Sequence, residues 1–112
     1  MTYTPNGIRI SKTGRLLIPC KFDEIKRDKI KLHSEVAIVA YGGRINPKKI
    51  GTVVKVIASE PFRQAAGNIE IDLISFEVKL IDGSVVTELY SDMLYPFENG
   101  QFDDVLNYKR GL

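Results

Sequence analysis

The chain has 112 residues, room for one domain and too little for two ordinary ones. Apolar residues make up 44% of it, enough to bury a core and too many for a disordered chain. Net charge is +2, yet residues 1–55 hold 12 Lys/Arg against 4 Asp/Glu and residues 56–112 hold 4 against 10.

Such a split is consistent with a basic face for nucleic acid and an acidic face elsewhere, or with opposite faces pairing between copies into a homo-oligomer. It also disappears if strands from both halves interleave in one sheet. The longest uncharged apolar stretch, Val36–Tyr41, is far short of the roughly 20 residues of a membrane-spanning helix. The first residues lack the basic start and apolar run of a secretory signal. The single cysteine, Cys20, cannot form an internal disulfide. These features predict a cytoplasmic protein with no membrane contact.

In chain order, Ile8–Ser11 and Arg15–Ile18 read as a short hairpin, with Gly14 at the left-handed position of the turn Lys12-Thr13-Gly14. Pro19 ends it. The charged segment Lys21–Arg27 carries Phe22 and Ile25 three apart, the spacing of one helical turn. Val36–Tyr41 is an apolar strand. Gly42-Gly43-Arg44-Ile45-Asn46-Pro47-Lys48-Lys49 has the breakers and charge of an exposed loop. Gly51–Ile57 is β-branched and predicts a second strand, and Ser59–Asn68 a long connection. Alternation from Ile69 to Leu80 shifts phase between Leu73 and Ile74, as a β-bulge would make it. Asp82-Gly83 suits a tight two-residue turn into a return strand, Ser84–Tyr90. Ser91–Leu94 reads as one helical turn and Tyr95-Pro96 as a short closing strand. Phe102, Val105 and Leu106 suit one face of a C-terminal helix packed back on the strands.

This order of pieces resembles a Src-homology-3-like small β-barrel. Within it, Glu35–Ile57 resembles the KOW motif, with Glu35-Val36-Ala37-Ile38, a basic loop through Lys48-Lys49, and Gly51 ahead of Val53 and Val56. The expectation is a single, mainly β domain over residues 1–112. Its five- to six-stranded barrel covers about 31–96, with an N-terminal hairpin and helical extension over 1–30 and a tail over 97–112. The likeness implies a non-enzymatic binding module that contacts nucleic acid or the transcription and translation machinery.

Two surfaces are candidates. Tyr41, Arg44, Lys48, Lys49 and Lys55 would give phosphate contacts with an aromatic beside them to stack on an unpaired base; the plain alternative is a solvated loop. Tyr90, Tyr95 and Phe97, with Phe62, would line a groove for a protein or peptide partner, near the acidic Glu88, Asp92 and Glu98; the plain alternative is core packing. Catalysis is not expected. His33 is the only histidine and Cys20 the only thiol, so neither a nucleophile–base pair nor a metal-ligand spacing can be read. No glycine-rich phosphate loop is present, and no cofactor is implied.

Overall fold

The computed structural model describes residues 2–18, 29–58, 62–63, 70–71 and 74–109. In chain order these form β1 (Thr2–Tyr3), β2 (Arg9–Ile10), β3 (Leu16–Leu17), β4 (Glu35–Val39), β5 (Ile45–Ala58), β6 (Phe62–Arg63), β7 (Glu70–Ile71), β8 (Ile74–Leu80), β9 (Val85–Tyr90), β10 (Leu94–Pro96) and one helix, α1 (Gln101–Lys109). The protein is mainly β. β1, β2 and β3 make an antiparallel meander, β6 and β7 a two-stranded ribbon, and the other five strands a sheet ordered β10-β4-β5-β8-β9. A 3-10 turn at Ser91–Met93 turns the chain out of β9. β10 then pairs with the far edge of β4, Tyr95 opposite Ala37. β9 and β10 share no ladder, so hydrogen bonding does not close the five strands into a complete ring. The helical turn expected at 21–27 and the phase shift expected at 73–74 fall on or against residues outside those described.

One turn design recurs four times. At Thr4–Ile8, Ser11–Arg15, Ala40–Arg44 and Leu80–Ser84, the first residue's N–H donates to the fifth residue's carbonyl and its own carbonyl accepts from the fourth residue's N–H. The fourth residue is Gly7, Gly14, Gly43 or Gly83, each at positive φ. These are three-residue hairpin loops with a left-handed residue closing the turn. The two-residue turn expected at Asp82-Gly83 is therefore corrected to three residues, Ile81-Asp82-Gly83, in which Gly83 takes the left-handed position at φ 92°.

β5 organises the sheet. Over Ile45–Thr52 it pairs with β4, and over Gly51–Ala58 with β8. Only Gly51 and Thr52 face both neighbours. The exposed loop expected over 42–49 is corrected: the turn is Tyr41–Gly43, and Asn46–Lys49 already belong to β5. They bulge there, because Ala37 opposes Ile50 while Val39 opposes Ile45. The Lys48 N–H donates to Asn46 Oδ1 at 2.9 Å, and Pro47 is accommodated where the ladder is interrupted. A second bulge leaves Val54 as the extra residue on β5. A third lies on β9 between Val86 and Leu89, where Glu88 has φ 57°.

Alternation sends neighbouring residues to opposite faces. Val36, Val53, Phe76, Val78, Leu80, Leu89, Leu94 and Ile30 form one core. Ala37, Ile45, Ile50 and Tyr95 lie on the other side, under Ile8, Leu16 and Ile18 of the meander and Val105 of α1. Each such buried Val, Ile or Leu contributes about 1.5–3 kcal/mol. Residues 2–18 and α1 thus cover the outer face of the sheet together. A polar knot joins them. Asp104 accepts from the Thr4 hydroxyl (2.5 Å), the Asn6 N–H (3.0 Å) and Asn6 Nδ2 (3.0 Å). Gln101 donates to the Asn6 carbonyl at 3.0 Å and accepts from the Tyr95 hydroxyl at 3.2 Å. Both residues are buried, so each bond answers a group that would otherwise be desolvated without a partner.

A Cβ at Gly51 would overlap the Lys79 carbonyl oxygen, whereas one at Gly83 would meet open space. Gly51→Ala should therefore cost about 3 kcal/mol or more in urea unfolding, because backbone must move. Gly83→Ala should cost about 1 kcal/mol, from its φ alone. Equal losses would contradict this account of β5.

Candidate functional site

Three elements distant in sequence meet at one end of the sheet. The Ile18 N–H donates to the Gly43 carbonyl at 2.9 Å, and Leu17 forms a lone antiparallel bridge with Arg44. The end of β3 is thereby fixed against the β4–β5 turn. Arg15 lies two residues before Leu17, so alternation sets it on the same side as Arg44. α1 brings Tyr108 to the same place. Between them opens a groove of about 420 Å³, lined by Gly14, Arg15 and Leu16, by Ala40 and Arg44–Pro47, and by Tyr108. No acidic residue is among these. Arg15 and Arg44 are exposed. Tyr108 is half-buried and packs on the core beneath.

The expected cationic residues are placed unequally about this groove. Arg44 lines it, and Tyr41 opens the turn between Ala40 and Arg44. Lys48 is exposed on the adjoining bulge. Lys49 acts at the β8–β9 turn, where its charge helps hold the Asp82 carboxyl down. Lys55 stands opposite Glu77 across the β5–β8 ladder, seven residues beyond Lys48 on β5. The five do not form one patch. The halves of the chain interleave through β5, which sets Lys55 and Glu77 in register across the ladder. Arg15 and Tyr108 were not candidates from sequence. Nothing local connects positions 15, 44 and 108.

No family model, curated protein or solved structure matches this chain. The geometry alone has to carry the functional reading.

The aromatic surface is corrected. Tyr95 is only 8% exposed and its hydroxyl is bonded to Gln101. Burial pushes that hydroxyl's pKa up, partly offset by Gln101 and reinforced by the Glu98 charge. Its ring meets Phe97 edge-on at 5.7 Å, and Phe97 meets Phe102 likewise at 5.8 Å. These rings tie β10 to α1. Tyr90 is exposed and pairs with Ser75 on β8. The side chain of Phe62 lies outside the described residues. Among the described residues, no three of His, Cys, Asp and Glu gather as metal ligands, and no helix is long and apolar enough to cross a membrane. His33 is an exposed turn residue at φ 74° whose N–H donates to the Val53 carbonyl. Cys20 is outside the described residues.

The Asp82 carboxylate accepts from the Ser84 hydroxyl (2.6 Å) and N–H (2.9 Å). These bonds, with a smaller contribution from Lys49, hold its pKa below 3.8. A depressed carboxyl stabilises the turn above the ordinary carboxylate range and loses that effect as pH falls through the lowered value. NMR titration of the side-chain carboxyl should give a midpoint under 3.8. Ser84→Ala should raise that midpoint more than Lys49→Met does. The reverse ranking would mean that charge, not hydrogen bonding, governs the turn.

Proposed function

We propose that this protein is a non-enzymatic binding module, built like a Src-homology-3-like barrel, that contacts nucleic acid or the machinery of transcription and translation. The observation that carries the reading is the groove: two exposed arginines line one concavity whose described lining holds no carboxylate. Guanidinium groups suit phosphate because they donate in a fixed planar fork. Lys48 beside the groove adds to the field. The sheet order supports the architectural half. A four-strand meander whose fifth strand returns through a 3-10 turn to the first strand's free edge is the order expected of that barrel class. The KOW-like part fits less well, since Lys48 and Lys49 lie on a bulged strand, not a free loop.

A protein or peptide partner held by Tyr90, Tyr95 and Phe97 has less support. Two of those rings are packed inward against α1, and only Tyr90 is open to solvent.

Two neutralised phosphates correspond to a slope of about −1.4 to −1.8 in log K against log salt. That is about a sevenfold to twelvefold loss of affinity for a labelled oligonucleotide between about 50 and 200 mM salt. Replacing Arg15 and Arg44 together by glutamate should abolish binding by fluorescence anisotropy, and Lys55→Glu should leave it nearly unchanged. Salt-independent binding, or binding indifferent to the two arginines, would reject the proposal.

A further inference from the structure

The groove is more particular than a positive patch, and resting on the nucleic-acid reading above, we infer that it takes one unpaired nucleotide of a single strand, its two flanking phosphates on Arg15 and Arg44 and its base against Tyr108. Three observations lead there. The concavity is about 420 Å³, near the lower end of the range of about 300–1,000 Å³ typical of small-molecule sites. That is room for one nucleotide and not for a run of them. A duplex keeps its bases stacked and paired, so it could offer such a groove only its phosphates.

The aromatic wall is also fixed in place. Tyr108 packs against the core cluster that includes Ile8, Leu16 and Val105. Its hydroxyl sits over the β2–β3 turn, 3.2 Å from where a Cβ on Gly14 would stand. A side chain there would push the ring away. An aromatic residue held from below and lining a cationic cleft can serve as a stacking platform for a base that has left its pair.

Finally, the cations come from two strand ends and the ring from the helix. Arg15 and Arg44 are set by the β3 bridge to Arg44, and Tyr108 by the helix, so phosphate and base would be gripped from different sides. An acidic peptide could satisfy the two arginines, but it would have no use for the ring.

The test is fluorescence anisotropy with a ten-residue single strand, as RNA and as DNA, beside a duplex of the same length. The single strands should bind at least tenfold more tightly than the duplex. Tyr108→Phe should bind them as wild type does. Tyr108→Leu, which fills similar core space without a stacking face, should bind them about tenfold more weakly while its duplex binding is unchanged. Melting curves of both variants confirm that they fold. Stronger binding of RNA or of DNA assigns the source of the nucleotide, and either supports the inference. Equal, salt-sensitive binding of strand and duplex overturns the one-nucleotide inference and leaves the nucleic-acid reading standing. Equal losses in the Phe and Leu variants also overturn it. Displacement of the oligonucleotide by polyglutamate at matched charge overturns it in favour of an acidic peptide. No binding of either nucleic acid removes both readings.

Discussion

At Gly51 the backbone of β5 runs so close to the Lys79 carbonyl that no side chain could stand between them. That contact lets one 14-residue strand leave the β4 ladder and take up the β8 ladder within two residues. The transfer divides the molecule. Before it, β5 presents Ile45 and Ile50 to the core under the meander and α1; after it, Val53 faces the core between β8, β9 and β10. Both cores, and the groove at the β4–β5 turn, take their positions from this bend. The bulges on β5 and β9 add local twist, and together these features curl five strands that hydrogen bonding does not close.

Local chemistry made much of this legible. Gly14 and Gly83 marked two of the four hairpin loops because a left-handed residue is required there; alternating apolar residues marked β4 and β8, β-branched residues marked β5, and the Asp82-Gly83 turn marked β9 as its return strand. The spacing of Phe102, Val105 and Leu106 marked α1. Where sequence misled, one signal had two physical causes. Asn46-Pro47-Lys48-Lys49 has a loop's composition, yet a bulge equally tolerates proline and exposed lysines because its ladder bonds are absent. Tyr95 and Phe97 are equally suited to a cage or a core, and only the bond from Tyr95 to Gln101 and the edge-on stack on Phe102 decide for the core. The groove could not be read at all. Its residues are separated by most of the chain, and their meeting depends on the β3 bridge and on where α1 docks.

The site also shows why a count of charges along a chain says little about a surface. Lys55 and Lys49 belong to the basic half, yet Lys55 faces Glu77 across a ladder and Lys49 lies near Asp82. Among the described residues no carboxylate lines the groove with Arg15 and Arg44, and the meander and the β4–β5 turn that carry them both come from the basic half. Electrostatic identity here is a property of which strand ends converge.

The polar knot between the Thr4–Gly7 turn and α1 has a consequence for synthesis. Asn6 and Asp104 are 98 residues apart, so nearly the whole chain must leave the ribosome before the turn finds its carboxylate. The five-stranded sheet needs no residue beyond Pro96, and its hairpins are local, so its ladders can form before α1 docks. During that interval Ile8, Leu16 and Ile18 lack the cover of Val105, and the nascent protein carries an apolar seam at its amino end. Docking of α1 seals that seam and, in the same step, brings Tyr108 into position. The groove is therefore complete only once the helix lies against the meander, so its shape reports that the two ends of the fold have joined.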